Sequence, residues 1–157
     1  MEINYKSATY ENIDDIIELR LIYFNESDEN FDKKTAEKLK VSMNNYLNTH
    51  LNKDCFVELA YDNGKVVSVL ALNVIEKIPT QQYVNGKFGE IYGVYTRVEY
   101  RRHGIASTLM KRILEEIKDK ELSLIKLNAS ELGRGIYKNF GFIYEDVEYK
   151  EMLKKLN

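Results

Sequence analysis

Cysteine is almost missing from this 157-residue chain: Cys55 stands alone. That excludes an intramolecular disulfide and any zinc site built from several thiolates. With two histidines, His50 and His103, a histidine-built metal centre is not expected either. No apolar run approaches the ~20 residues that span a bilayer. The first ten residues, MEINYKSATY, lack the basic-then-apolar build of a signal peptide. A formal net charge of -2 argues against nucleic-acid binding through a basic face. No stretch is rich in Gly, Pro or Ser and no segment repeats, so nothing marks a linker. The expectation is one cytoplasmic domain over residues 1–157, with neither nucleic acid nor membrane as partner.

What is present suits a packed globule. Hydrophobic residues make up 44% and charged residues 31% of the chain, which is not the composition of a disordered segment. A chain of this length buries roughly 70% of its unfolded surface without staples. Charge is uneven: residues 1–50 hold six Lys/Arg against ten Asp/Glu, and residues 101–157 hold twelve against nine. An acidic front and a basic back suit a cationic ligand on one side and an anionic one on the other; scattered solvated charge gives the same count.

Periodicity alternates between strand and helix. Residues 2–7 alternate as a short strand, and Asn12 or Asp14 opens a helix with Ile13, Ile16, Ile17 and Phe24 on one stripe. Residues 33–51 predict a second helix with Ala36, Leu39, Met43, Tyr46, Leu47 and Leu51 inward. Two β-rich runs flank Asn63-Gly64, a pair suited to a tight hairpin turn. A strand is expected over 87–96, then a helix with Ala106, Leu109, Met110, Ile113, Leu114 and Ile117 at helical spacing. Residues 123–129 (SLIKLNA) read as a buried strand, 133–140 as a short helix, and the tail as one or two strands ending near Leu153. The order β-α-α-β-β-β-α-β-α-β predicts an α/β fold with a mixed, mostly antiparallel sheet flanked by about four helices.

The chemically informative passage is YGVYTRVEYRRHGIASTL, Tyr92 to Leu109. A strand ends, Arg101, Arg102 and His103 follow, and Gly104 precedes a helix that begins with Ile105 and the small residues Ala106, Ser107 and Thr108. The first turn of a helix has unpaired N–H groups and partial positive charge, so it attracts an anion. Gly104 leaves room for a phosphate to approach the backbone, and the arginines add full charge. The passage is neither a Walker loop nor a three-glycine dinucleotide fingerprint. By itself it reads either as a pyrophosphate cradle or as a basic helix start on a solvated surface.

The run Arg101-Arg102-His103-Gly104-Ile105-Ala106 resembles the Arg/Gln-x-x-Gly-x-Gly/Ala signature of the GCN5-related N-acetyltransferases, the GNAT superfamily. A second block, Gly133-Arg134-Gly135-Ile136-Tyr137-Lys138-Asn139-Phe140-Gly141-Phe142, is similar to that family's closing pattern of a small residue, an aliphatic, a tyrosine and Gly-Phe. The likeness covers nearly the whole chain. It implies a GNAT acyl-CoA N-acyltransferase fold and an acetyl-CoA-dependent N-acetyltransferase, with acetyl-CoA or coenzyme A as cofactor. The acceptor would be a small-molecule or peptide amine, left open by the sequence, and a homodimer is possible for the family.

The resemblance also implies residue roles. Backbone groups of Val94, Tyr95 and Thr96 would pair with the pantetheine arm, and the amides from Arg102 to Ser107 would hold the pyrophosphate. Asn128 falls where the fifth strand meets pantetheine, and Arg134, Gly135 and Tyr137 fall beside the thiol. Glu90, eleven residues before Arg101, is the candidate general base, because an amine with a lysine-like pKa must lose a proton before it attacks. An apolar setting beside Phe88, Ile91 and Tyr92 would raise its pKa; the other reading is a strand carboxylate facing water. Tyr137 is the candidate acid for the departing thiolate, or else a core tyrosine. The Val94 N–H would stabilise the oxyanion. Phe24, Asn25 and Glu26 are candidate acceptor contacts between the first two helices, with Glu26, Asp28 and Glu29 attracting a cationic amine.

Three further readings stay open at this stage. Cys55 is either an acyl-accepting nucleophile or an inert buried thiol. Arg20, on the apolar stripe of the first helix, either braces residues 25–30 or snorkels. The alternatives to an enzyme are a catalytically silent acyl-CoA-binding or sensing module, and a different phosphate-ligand binder that reuses the helix start.

Overall fold

Strand β1 (Ile3–Ser7) leads through a short turn into helix α1 (Ile13–Ser27), and α2 (Lys33–His50) folds back beside it. In this computed structural model, which describes residues 1–146, 148 and 151–156, the remaining elements are β2 (Cys55–Asp62), β3 (Lys65–Glu76), β4 (Lys87–Thr96), α3 (Ile105–Glu116), β5 (Leu124–Lys126) and α4 (Arg134–Asn139). The five strands lie in sequence order in one sheet. All neighbours are antiparallel except β4 and β5, which run parallel. The expected mixed, mostly antiparallel sheet with four helices is therefore observed.

The local signals explain these elements. Asn63 (φ 49°) and Gly64 (φ 79°) close the β2–β3 hairpin with both φ angles positive, as the sharp reversal requires. Asp32 Oδ1 caps α2 by accepting from the Thr35 amide at 2.7 Å. The stripe of α3 buries Ile105, Leu109, Met110 and Ile113 against one sheet face with Phe56, Leu70, Leu72 and Ile91. Fully burying each such side chain contributes about 1.5–3 kcal/mol. On the opposite face, Ile13, Ile16, Ile17 and Leu19 of α1 pack with Val57, Leu59, Val69 and Tyr95.

Some expectations need correction. Strand β5 forms over three residues rather than the seven expected, because its pairing with β4 stops at Glu90↔Lys126. In the tail, Val147, Tyr149 and Lys150 lie outside the described residues, and the described ones form no strand. Ile143, Met152 and Leu153 there are 89%, 94% and 81% exposed, so no packed face holds them extended. On α2, Leu47 is buried but Tyr46 turns outward, its polar tip 3.1 Å from Asn73 Oδ1. No helix among the described residues is long and apolar enough to cross a membrane.

Candidate active site

The site is built where the regular sheet fails. Past Glu90↔Lys126, strand β4 has no partner on its β5 side, so a split opens from Ile91 onward. On its other side the pairing passes from Ala71↔Tyr92 to Val69↔Tyr95, so β4 carries one extra residue there. That is a β-bulge. Gly93 occupies it with φ +83°, a left-handed conformation that side chains resist.

Register decides which backbone groups reach the split. The Arg97 amide donates to Val67 O, and Ser68 Oγ donates to Tyr95 O at 2.9 Å. Strand alternation therefore turns Tyr95 toward β3 and Val94 and Thr96 toward the split. Thr96 O already accepts from Arg101 Nε at 2.9 Å. Of the three positions expected to meet pantetheine, Thr96 O is engaged by Arg101 and the Tyr95 side chain is buried under α1, so alternation leaves Val94 as the one facing the split.

The turn before α3 ends at Gly104, with φ +74° and open space around an added Cβ. Among the described residues, no amide from Arg102 to Ser107 donates to a backbone carbonyl. The flanking amides do: Arg101 to Val98 O at 3.2 Å and Thr108 to Gly104 O at 3.0 Å. No side chain caps α3, in contrast to α2. Six consecutive free N–H groups at a helix start make a nest for an anion. The exposed Arg102 and His103 stand beside it. This geometry fits the diphosphate of a nucleotide cofactor.

Arg101 departs from its expected part. Its Nη2 is 3.0 Å from Glu26 Oε2, and Glu26 Oε1 accepts from the Tyr95 hydroxyl at 2.5 Å. Burial, and then Glu26, push the Tyr95 phenol up to about 12. Arg101 thus braces the end of α1 against the outer edge of β4. Glu26 is committed to that brace instead of standing ready for an amine. Phe24, Asn25 and Glu26 lie on the last turns of α1, which runs unbroken to Ser27, and not in an inter-helix loop.

Tyr137 sits on α4, 9% exposed, with its ring against Phe142 at 6.0 Å between centroids. Burial raises its pKa above the ordinary phenol value. The hydroxyl is not sealed: the sealed side-chain polar atom without a partner, among the described residues, is Glu116 Oε2. Tyr137 shares the wall of a cavity of about 910 Å³ with Asn128 and Arg134; the α3 cradle lies outside that cavity. Gly135 and Arg134 are exposed on α4.

Glu90 is half-buried at the last paired position of β4, with Oε1 3.5 Å from Lys126 Nζ. Of the apolar neighbours expected, strand alternation leaves Phe88 and Tyr92 on the face of Glu90 and turns Ile91 to the other, and Lys126 adds a cation beside it. Cys55 is 2% exposed, and burial pushes its thiol up to about 11, which fits an inert thiol. His50 stacks on Tyr46 at 4.4 Å and reaches Asp54 at 2.8 Å. Arg20 does neither thing expected of it: it packs against Gly93 under three aromatic rings. The sequence marked it as a charge on an apolar stripe, but its partners come from elements far apart in the chain.

A sheet split beside a helix start with free amides suits a protein that binds an acyl-CoA. A family model for the acetyltransferase (GNAT) domain matches residues 4–144, and the chain belongs to that family. It is an N-acetyltransferase, and its cofactor is acetyl-CoA. A predicted acetyltransferase from Clostridium acetobutylicum, crystallised with acetyl-CoA, is 28% identical, with a TM-score of 0.82 over 97% of this chain and 96% of that one. A GCN5-related N-acetyltransferase from Ralstonia eutropha shares the fold at 21% identity, with a TM-score of 0.77 over 96% and 99% of the two chains. An aminoglycoside acetyltransferase from an uncultured soil metagenomic sample shares it at 18% identity, with a TM-score of 0.71 over 98% and 100%. No curated protein matches the sequence.

Proposed function

We propose that residues 1–157 form a single-domain enzyme that moves an acetyl group directly to a primary amine within a ternary complex. The observation that carries this reading is the run of free amides from Arg102 to Ser107 beside a strand edge left open at Val94. Bound acetyl-CoA supplies an acetyl group activated as a thioester. The chain's residues do the rest. The amides of Arg102, His103, Gly104, Ile105, Ala106 and Ser107 bind the diphosphate, with the Arg102 and His103 side chains beside it. Val94 extends the sheet to the pantetheine arm, and its N–H meets the charge that grows on the carbonyl oxygen. Asn128, Arg134 and Gly135 border the thiol end, and Arg101, Tyr95 and Thr96 hold the cradle against β4.

Glu90 is the base in this reading. It lies four residues before Val94, roughly 13 Å along the strand, so the amine proton reaches it through water. Tyr137 is the acid. A phenol whose pKa is raised stays protonated at neutral pH and can give its proton to the departing thiolate.

Free-thiol release measured with acetyl-CoA and a panel of primary amines tests the proposal. Turnover with at least one amine, lowered in Tyr137→Phe, is the expected result. Coenzyme A binding without thiol release for any amine would leave the silent binding module. Thermal stabilisation by ATP or NAD, but not by coenzyme A, would leave a different phosphate binder.

A further inference from the structure

Arg20 occupies a position where helix α1 presents core residues. It continues the stripe of Ile13, Ile16 and Ile17, all buried, toward Phe24. Its guanidinium carbon lies 4.8 Å from the Phe24 ring centroid, 5.1 Å from Tyr92 and 5.6 Å from Tyr23. On the sheet side it abuts the bulge: a Cβ added at Gly93 would sit 3.0 Å from Arg20 Cζ and closer still to Nη1. Burial lowers its pKa, against the pull of Tyr92 and Tyr23 and a hydrogen bond to Tyr92, yet a guanidinium stays charged at any working pH.

What this cation lacks is a counter-charge. Four arginines among the described residues are half-buried: Arg20, Arg97, Arg101 and Arg112. Arg97 pairs with Glu18, Arg101 with Glu26 and Arg112 with Glu58. Arg20 has no carboxylate within 4.0 Å among the described residues. The nearby acids of α1 are taken: Glu18 and Glu26 by those arginines, and Asp15 by the Tyr61 hydroxyl at 2.5 Å. A half-buried charge with neutral partners only is stabilised by a counter-ion, and Arg20 offers a planar fork that matches a carboxylate or a phosphate.

Its place says whose partner it is. Gly93 precedes Val94, whose N–H faces the split where acetyl transfer is proposed. An attacking amine must come within roughly 3–3.5 Å of the carbonyl carbon there. Tyr92 and Tyr23, whose rings flank Arg20, are 60% and 38% exposed, so this side of the bulge is open to solvent. Resting on the acetyl-transfer reading, we infer that Arg20 selects the acceptor: an amine carrying an anionic oxygen group, carboxylate or phosphate, on a short spacer. This reverses the expectation drawn from Glu26, Asp28 and Glu29, since a second ammonium would be repelled here.

Four acceptors of similar length test this by thiol release: propylamine, β-alanine, O-phosphoethanolamine and 1,3-diaminopropane. Wild-type kcat/KM should be at least tenfold higher for one or both anionic acceptors than for propylamine, and lowest for the diamine. The better of the two identifies carboxylate or phosphate. Arg20→Met keeps the volume under the rings and removes the charge. It should erase the preference through acceptor KM while leaving the acetyl-CoA KM within twofold; Arg20→Lys should retain part of it. A wild-type enzyme indifferent to the anion, or a preference that survives Arg20→Met, overturns the inference. Should Arg20→Met fail to fold, the wild-type panel and Arg20→Lys decide.

Calorimetry on protein loaded with coenzyme A separates this from the acetyl-transfer reading. Should no acceptor release thiol, that reading fails, and the titrations of N-acetyl-β-alanine, N-acetyl-O-phosphoethanolamine and N-acetylpropylamine still decide on Arg20. At least tenfold tighter binding of an anionic compound, lost in Arg20→Met, upholds the role of Arg20, and equal binding refutes it.

Discussion

Replacing Tyr137 by phenylalanine removes one oxygen from a ring that is 9% exposed, and the structure separates what that oxygen does for stability from what it does for rate. The ring keeps its edge contact with Phe142 in either residue. Because the hydroxyl is not sealed in the protein, its loss should change unfolding free energy by less than about 1 kcal/mol. The rate should respond far more. A positioned general acid contributes about 10²–10⁴-fold, and a thiolate, with a conjugate acid pKa of about 8.5, is a fair leaving group that needs the lower end. We expect kcat to fall about 10²-fold, or about 2.7 kcal/mol in barrier, with acetyl-CoA KM unchanged. Burial raises the Tyr137 pKa, so the phenol is protonated throughout pH 6–9. The loss should therefore be uniform across that range, with neither limb of the profile displaced. The assay is thiol release from pH 6 to 9, beside thermal melts of both proteins. A kcat within threefold of wild type, or a loss confined to acetyl-CoA KM, refutes the acid role. A large fall in melting temperature with kcat intact would assign Tyr137 to packing.

The cradle, the base and a buried carboxyl pair give the other tests. Gly104→Glu puts an anion in the nest and should weaken coenzyme A binding at least 10²-fold in calorimetry. Its positive φ should also cost about 1–2 kcal/mol, a cost that Gly104→Ala shares without the added charge; equal affinities for wild type and Gly104→Glu would dismiss the cradle. Glu90→Gln should lower kcat/KM about 10²-fold at neutral pH and flatten the acidic limb of the profile, and an unaltered limb would point to another base. Glu116 lies beside Glu58, which is 1% exposed and holds Arg112 Nε at 2.5 Å. Burial, and then Glu58, raise the Glu116 pKa, so the folded state holds that proton longer than the unfolded chain. The stability this contributes is present below the unfolded value and lost as pH rises through the folded one. Glu116→Gln, which cannot ionise, should be more stable than wild type at pH 8 and no more stable at pH 4. Urea midpoints showing the same difference at both pH values would contradict this.

Where a feature is local, the amino-acid order reveals it, and where it depends on distant partners, the order is silent. The Asn63-Gly64 hairpin, β4 over Lys87–Thr96 and the stripe of α3 follow from turn chemistry and period alone. Leu19 was not on the expected stripe of α1 yet is 0% exposed, because α1 packs on the sheet and also contacts α2. That second buried face has no period of its own. The length of β5 depends on where β4 diverges, and its apolar run extends past that point. In the site, Gly104 and its open amides were legible because one helix start contains them all. Arg101 read as a phosphate charge because its carboxylate partner, Glu26, lies 75 residues away. Arg20 is visible in the sequence as an anomaly on an apolar stripe, but its want of a counter-charge depends on which distant carboxylates Arg97, Arg101 and Arg112 hold.

One physical circumstance unites the parts of the proposed site. Backbone N–H and C=O groups are normally paired, and a folded chain leaves few open without cause. Here they are left open in two places: along the edge of β4 beyond Glu90 and across the six amides from Arg102 to Ser107. The same short segment sets both. The bulge at Gly93 orients the Val94 backbone, and Arg101 ties Thr96, on that edge, to the turn that carries the nest. A ligand that satisfies both must combine an amide-bearing arm for the strand edge with a diphosphate for the nest, at a fixed separation. Coenzyme A has that build, and ATP, which offers phosphates but no amide arm, would leave the β4 edge unpaired. Selectivity for the cofactor thus follows from backbone accounting before any side chain is considered. In the proposed mechanism the side chains that remain, Tyr137, Glu90 and Arg20, are then free to govern the chemistry and the choice of acceptor.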